Sequence, residues 1–489
     1  MLPQSLIPKR NAKWSEEQCQ AIEALAKDFT VSTEQLEAMA TYFVQQMQAG
    51  LKQEKSPDLA MIPSFITGRP DGHERGNYLA LDLGGTNLRV CLISLKGNGE
   101  LETHQKTYKV SEHLQEANVS ELMGFIAISI KKFISSEHVT SKICEHPSGS
   151  DVLELGFTFS FPVSQTSVNS GLLLRWTKGF NCPDAVGNDI VKLLQDALDR
   201  NDVNVHVVGT LLAYSYSHPG TYIGAIIGTG TNGAYVEHTE NIKTMKSNAK
   251  EMIINTEWGN YDKNKKFLPV TIFDNKLDSE SINPGIHVFE KLISGMYLGE
   301  ITRNVLLHLI DKGVLFEGNS SPKLNEHWAF ETKFMSAIEN DSSTNLIPTA
   351  GVLEQELGVY LNTLVDREIV KSVCRLVGTR AARLSAMAVA AIIRQGMEVG
   401  ALRDHKYPFK LSAEDKKSSA DTSGSADWDL IHVSIDGSVF EHYPGFKQHM
   451  QEALVELLGE HSKDIVQMGI AKDGSGVGAA LAALIATKK

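Results

Sequence analysis

Cysteine is scarce in this chain: five residues among 489, Cys19, Cys91, Cys144, Cys182 and Cys374, none of them in a CxxC pair. That scarcity excludes a disulfide-built scaffold and a cysteine-ligated zinc module, and it predicts reduced thiols in an intracellular protein. Basic residues are outnumbered too. The 47 Lys and Arg against 59 Asp and Glu leave a formal charge of −12 and a pI near 5.8, which disfavours nucleic acid or an anionic membrane as partner of a generally basic surface. Long apolar runs are missing. The most apolar, Leu384 to Ile393, is closed by Arg383 and Arg394, whereas about 20 apolar residues are needed to span a bilayer. The stretch from Met1-Leu2-Pro3 to Lys9-Arg10 has neither an apolar signal core nor the Arg- and Ser-rich character of a transit peptide, so no leader is expected there. The expected location is the cytoplasm, with the nucleus and the mitochondrial surface left open.

What is present is ordinary globular composition, 42% hydrophobic and 22% charged. At about 100–200 residues per domain, the length predicts two to four domains or two large lobes. Residues 14–54 carry two amphipathic helical patterns, and Ser15 with Gln18 and Ser32 with Gln35 have the spacing of capping boxes. Tyr78 to Val90 reads as a strand, a Gly-Gly turn and a second strand continuing to Ser94, with Gly97-Asn98-Gly99 as the next hairpin signal. A helical pattern near 119–134, a strand Leu153 to Ser160, a helix over 186–200 and a strand Val203 to Val208 predict a layered α/β lobe. The theme then repeats: strand Tyr222 to Ile227, turn Gly228 to Gly233, strand Ala234 to Glu237. Helical periodicity over 285–312 and 351–397 predicts a larger second lobe, and 411–427, without apolar rhythm, predicts a surface loop. A strand Ile431 to Ile435 and a glycine run, Asp473 to Gly478, that opens a small-residue helix close the pattern.

Three glycine turns carry the chemistry. Asp82-Leu83-Gly84-Gly85-Thr86-Asn87 and Gly228-Thr229-Gly230-Thr231-Asn232-Gly233 lie between strands, where backbone N–H groups can approach phosphate oxygens without a Cβ in the way. Asp473-Gly474-Ser475-Gly476-Val477-Gly478 opens a helix, whose N-terminus favours anions. One such turn is equally a structural hairpin. Three together point to a nucleotide.

Longer motifs add a resemblance. Leu81-Asp82-Leu83-Gly84-Gly85-Thr86-Asn87-Leu88-Arg89-Val90, Phe157-Thr158-Phe159-Ser160-Phe161-Pro162, Leu174-Arg175-Trp176-Thr177-Lys178-Gly179-Phe180 and Gly228 to Gly233 resemble the hexokinase family in its fungal hexokinase and glucokinase form. The resemblance runs from about residue 15 to 487 and implies the α/β, two-lobed actin-like ATPase (ribonuclease H-like) fold. It implies an N-terminal helical segment 1–62, a small lobe 63–208 completed by a C-terminal helix 474–489, and a large lobe 209–473. It also implies sugar held by Ser160, Thr177, Lys178, Asn232, Glu257 and Glu290, with Lys178 balancing charge at the transferring phosphate. Nucleotide would lie on Asp82, Gly84, Gly85, Thr86, Asn87, Gly228, Thr229, Gly230, Thr231, Asp473, Gly474, Ser475 and Gly476. ATP with Mg²⁺ and glucose or a related hexose are the implied ligands.

One departure shapes the expected function. The family carries Asn-Asp-Thr before a Gly-Thr helix start, and its Asp takes the proton from the sugar 6-hydroxyl. Here Val203-Asn204-Val205-His206-Val207-Val208 runs directly into Gly209-Thr210. His206 is the only nearby imidazole, but alternation places it with Asn204 and Val208 opposite Val203, Val205 and Val207, as a half-buried strand residue and a poor surrogate base. Asn201-Asp202 comes too early in the strand. Ile286-His287 stands where the family has a Gln pair, which weakens the support expected around Glu290. The departures predict a catalytically impaired, sugar- and nucleotide-responsive regulator of carbon metabolism with weak hexose binding and an unidentified protein partner, the 411–427 loop being a docking candidate. The alternative is an active ATP-dependent hexokinase or glucokinase in which another residue is the base, or whose transcript carries the missing segment.

Because the glycine turns are intact whatever becomes of the base, Mg-ADP or Mg-ATP is expected to bind. A ligand at a hundredfold excess over its Kd stabilises the folded state by about 2.7 kcal/mol; a melting temperature unmoved by millimolar Mg-nucleotide would remove the nucleotide site.

Overall fold

A computed structural model describes residues 12–53, 57–67, 73–84, 86–98, 100–144, 153–159, 161, 163–167, 169–176, 180–210, 221–403 and 430–470. Two helices open it, α1 (Glu16–Phe29) and α2 (Thr33–Leu51). Both start as their sequences predict: the Ser15 hydroxyl accepts from the Gln18 N–H while the Gln18 side chain accepts from the Ser15 N–H, and Ser32 and Gln35 repeat the exchange. Each box satisfies two amides that a helix start leaves without partners.

Strand β1 (Ile62–Pro63) follows, and then the small-lobe sheet: β2 (Arg75–Leu83), β3 (Asn87–Gly97), β4 (Glu100–Lys109), β5 (Leu153–Phe159) and β6 (Val205–Thr210), in the order β4-β3-β2-β5-β6. β2, β3 and β4 are antiparallel neighbours, whereas β5 and β6 run parallel to β2. The parallel strands need crossovers, and helices α3 (Val119–Ile134) and α4 (Ile190–Arg200) supply them. Their apolar faces, including Leu122, Ile126, Ile130, Leu194 and Leu198, form one core with Leu79, Leu81, Val90 and Phe157.

The large lobe repeats this plan. Strands β7 (Thr221–Ile227), β8 (Thr231–His238), β9 (Glu251–Asn255), β10 (Ile431–Asp436) and β11 (Val466–Ile470) lie in the order β9-β8-β7-β10-β11, with the same antiparallel and parallel relations, and β1 is added beyond β9. The same strand order in both lobes, with a glycine turn joining the first two strands of each, is the duplicated architecture of the actin-like ATPase fold.

Residues Trp14 to Ile66 belong to the large-lobe core. The described part of the segment expected over 1–62 is therefore packed against that lobe, because α1 and α2 find their apolar partner there and β1 pairs with β9. That partner is the 35-residue helix Leu364–Glu398, with its own capping box between Thr363 and Asp366. Four shorter helices flank it: Val288–Ile293, Gly295–Asp311, Thr332–Asn340 and Phe446–Leu458. The sequence showed an apolar run closed by arginines; the structure shows a helix long and apolar enough to cross a membrane, with 94% of its most apolar window buried inside the fold. The two arginines that bound the run do not end it, because each has a carboxylate: Arg383 pairs with Glu456 (2.7 Å) and Arg394 with Glu37 (2.7 Å), as Arg380 one turn earlier pairs with buried Asp274 (2.6 Å). The 411–427 loop, the 474–489 helix and the third glycine run lie outside the described residues.

Hydrogen bonds from Arg383 hold the Glu456 carboxyl below its usual range, and Thr33 adds to this against the effect of burial. Burial alone would raise Asp341, but Ser343 and Thr349 outweigh it and its carboxyl also titrates low. Both folded-state values lie below the unfolded ones, about 4. The stability they contribute is complete above the unfolded pKa and is lost as pH falls through the folded pKa. Thermal melts between pH 6 and pH 3 should show the midpoint falling below about pH 4, and Glu456→Gln should reduce that slope; an unchanged slope would dissociate the pair from acid stability.

Candidate active site

The second glycine turn is built by contact between elements. β7 ends at Ile227, Gly228 to Gly230 make the reversal, and β8 starts at Thr231, so the turn is tighter than the expected 228–233. The Gly228 carbonyl accepts from Gly295 N–H (2.7 Å) and the Thr229 carbonyl from Met296 N–H (3.0 Å), which docks the start of helix Gly295–Asp311 on the turn. On the other side lies Gly437, at φ 127°, where a Cβ would come within 2.4 Å of the Ile227 carbonyl. Only glycine permits both that backbone and that approach.

Beyond the turn, polar side chains converge on one end of the sheet. Asn232 Nδ2 donates to Asn255 Oδ1 and to Glu257 Oε1, both at 2.9 Å, and Asn255 Nδ2 donates to the same Glu257 oxygen at 2.8 Å. β8 and β9 bring these residues together through the pairing of Ala234 with Asn255. Glu257 is at φ 52° just past β9, a left-handed position for a non-glycine residue, which costs about 1–3 kcal/mol unless surroundings impose it. Here Asn255 Oδ1 accepts the Glu257 N–H (3.1 Å), and Trp258, fully buried, donates to Thr231 Oγ1 (3.0 Å).

Glu290 arrives from helix Val288–Ile293, its Oε2 accepting the Thr231 N–H at 3.0 Å. A Cβ at Gly230 would lie 3.0 Å from that oxygen, so the turn's glycine makes room for the carboxylate. His287, also left-handed at φ 55°, places Nδ1 3.8 Å from Glu290 Oε1. Burial, with the Glu290 charge adding, pushes the Tyr297 hydroxyl up to about 12, which keeps it protonated at neutral pH. Asn232, Glu257 and Glu290 are thus gathered in one polar cluster. Asn255 belongs to it as well, a strand asparagine that carries no signal until the register is known, and Thr231, expected at the nucleotide, supplies the N–H that Glu290 accepts.

In the small lobe, Asp82, Gly84, Thr86 and Asn87 surround the first turn, where Gly84 N–H donates to the Asn87 carbonyl (3.0 Å) and Arg89 lies 3.6 Å from Asp82. Trp176 stacks on Phe180 at 5.3 Å and meets Phe161 edge-on. Trp176 Nε1 also donates to the Cys182 carbonyl (2.6 Å). Ser160, Thr177, Lys178, Gly85, Asp473, Gly474, Ser475 and Gly476 lie outside the described residues.

Known proteins resemble this chain over nearly its whole length. Two hexokinase family models match, over residues 21–216 and 222–485. A glucokinase of Aspergillus niger is 38% identical, covering 95% of this chain and 96% of its own length. Hexokinase-1 of Saccharomyces cerevisiae is 36% identical, covering 96% and 92%. The chain belongs to the hexokinase family. Its backbone also superposes on the Schistosoma mansoni hexokinase solved in complex with glucose, with a TM-score of 0.78, 29% identity, and coverage of 96% of this chain and 99% of that one.

Within this hexokinase-family frame, β6 differs from the sequence expectation. The strand begins at Val205 and continues through Gly209 and Thr210, with Thr210 opposite Thr158, which in turn lies opposite Asp82. Gly209-Thr210 therefore completes a strand. His206 sits four residues earlier, about 13 Å back along the strand at about 3.3 Å per residue. It is exposed, not half-buried as expected, because β6 is an edge strand and its ring reaches Glu154 Oε2 at 2.7 Å. Asn201 caps the end of α4 and Asp202 turns left-handed at φ 52°, so that pair lies at the far end of β6.

A cavity of about 920 Å³ is lined by Ser336 and Asn340 of helix Thr332–Asn340 and by Phe440, Tyr443, Phe446 and Gln448. Phe440, Tyr443, Phe446 and Gln448 follow Gly437 in the chain, and the sequence pattern did not single the cavity out, since a pocket made by elements distant in sequence has no linear signature. His206→Ala should leave any phosphoryl-transfer rate within about twofold and stability within about 1 kcal/mol, as for other exposed pairs. A collapse of the rate would make His206 the proton acceptor.

Proposed function

We propose that this chain is an ATP-dependent hexose phosphotransferase. The observation that carries the reading is the Asn232–Asn255–Glu257–Glu290 cluster set directly against the Gly228–Gly230 turn. A hexose presents hydroxyls that each donate and accept, so its site needs fixed carboxylates and amides in one place. Glu257 Oε1 already holds two amides, which fixes the group and leaves Oε2 for a ligand hydroxyl. Glu290 is likewise fixed by the Thr231 N–H. The cavity lined by Ser336, Phe440 and Tyr443 is the proposed place for a nucleoside, whose phosphate charge Mg²⁺ would neutralise. The names of the relatives, glucokinase and hexokinase, support glucose as a substrate.

A second reading, an impaired family member that responds to sugar or nucleotide as a regulator, is favoured by one observation. The parallel strand that reaches the level of Asp82 ends in Gly209-Thr210 without a carboxylate among its described residues. Loss of a general base costs about 10²–10⁴ in rate. The two readings part in a coupled assay with glucose, Mg²⁺ and ATP, run beside the Aspergillus relative. Hexose 6-phosphate formed in step with ADP is the expected outcome. No turnover above background, with sugar and nucleotide still bound by calorimetry, would replace the first reading by the second, and resequencing the transcript across Val208-Gly209 would show whether a coding segment restores the acceptor.

A further inference from the structure

Glu290 is carried by a helix too short to orient itself. Val288–Ile293 spans six residues, and its N-cap His287 makes no side-chain capping bond, so its direction is set by tertiary contacts. The residue after Glu290 supplies the strongest. Lys291 is 2% exposed, and its ammonium donates to Asp278 Oδ1 (2.7 Å), Ser281 Oγ (2.9 Å) and the Asn283 carbonyl (2.8 Å), which satisfies all three of its protons.

Asp278 extends the grip. Its Oδ1 also accepts the Gly285 N–H (3.0 Å), and its Oδ2 meets Lys265 at 3.1 Å. Burial alone would raise the Asp278 carboxyl, but Lys291, Gly285 and Lys265 together hold it below its usual range, so it is charged at neutral pH. The segment from Ser281 to Gly285 is thereby fastened to Lys291 directly at Ser281 and Asn283 and, through Asp278, at Gly285 before the chain enters His287. Successive residues on a helix project about 100° apart, so a helix pinned at Lys291 has its rotation fixed, and with it the direction of Glu290. On the opposite side Phe289 packs on Tyr261 with ring centroids 5.5 Å apart.

We propose that Lys291, through its buried contacts to Asp278, Ser281 and Asn283, is the positioning residue that aims Glu290 at the ligand and at the Thr231 N–H. This rests on the reading above only in taking the ligand to be a hexose; the geometry of Glu290 is independent of it. Lys291 does not touch Thr231, so the two are linked through Glu290.

The test is Lys291→Met and Lys291→Arg in the full chain, with Lys291→Met/Asp278→Leu as a folded control should the single change leave Asp278 buried without a partner and prevent folding. Two measurements are read. Amide exchange at Thr231, followed without any sugar, should accelerate at least about tenfold in Lys291→Met and in the double variant, and Lys291→Arg should recover part of the protection. Glucose titration should show the dissociation constant rising about tenfold, with kcat at saturation changed less than KM. Unaltered Thr231 exchange in either folded Met variant overturns the proposal. Wild-type protein that fails to bind glucose overturns the hexose reading instead, and the exchange result still decides Lys291. Accelerated exchange with unchanged glucose affinity in a protein that does bind glucose overturns the claim that Glu290 is aimed at the sugar.

Discussion

The hydrogen bond from Gly295 N–H to the Gly228 carbonyl organises the large lobe's end of the site. It joins the central hairpin of the sheet to the start of a long helix, and Gly437 closes on the same turn from the parallel strand β10. Three elements distant in sequence therefore meet at backbone contact distance, which no side chain at these positions would allow. With the turn held, Thr231 is fixed in place; its N–H donates to Glu290 and its hydroxyl accepts from the Trp258 indole.

Behind the turn, the helix Leu364–Glu398 carries the rest. It contacts α1, α2 and helices Val288–Ile293 and Gly295–Asp311, so the N-terminal segment and the site share one support. Buried polar groups fix its orientation: Glu368 accepts from Trp14 Nε1 (2.7 Å), Gln395 donates to Glu237 (3.0 Å), and Arg380 grips Asp274 with two bonds. Such pairs contribute little net stability once desolvation is counted, but an apolar helix can slide or rotate, and a misplaced buried charge is costly. They set register while the apolar surface supplies the driving force.

Local signals were the most readable. The capping boxes at Ser15 and Ser32 depend on residues three apart, and the structure forms both. Helix Val119–Ile134 and the β2–β3 and β7–β8 hairpins follow from periodicity and glycine, each needing only neighbours in sequence. The alternation over Val203 to Val207 also holds, with the three valines buried and Asn204 and His206 exposed. What periodicity could not convey was that the strand has an open edge, since edge or centre is a property of the sheet; hence the exposure of His206 and its contact with Glu154. The length of the central helix was hidden for a similar reason: arginines within it look like ends until their carboxylate partners, remote in sequence, are seen.

Residue order by itself determined that two lobes with a repeated strand–glycine turn–strand unit would form, and which of Asn232, Glu257 and Glu290 were candidates for a polar ligand. The tertiary structure decided how they meet. The register that sets Ala234 against Asn255 adds Asn255 to the pair of Asn232 and Glu257, and the left-handed turns at Glu257 and His287 are tolerated because surrounding contacts impose them. It also decided that the N-terminal helices belong to the large lobe and that Gly209-Thr210 finishes a strand. These outcomes depend on contacts between segments far apart in the chain, whose strength rests on the packing of the whole core and not on any spacing of residues along it.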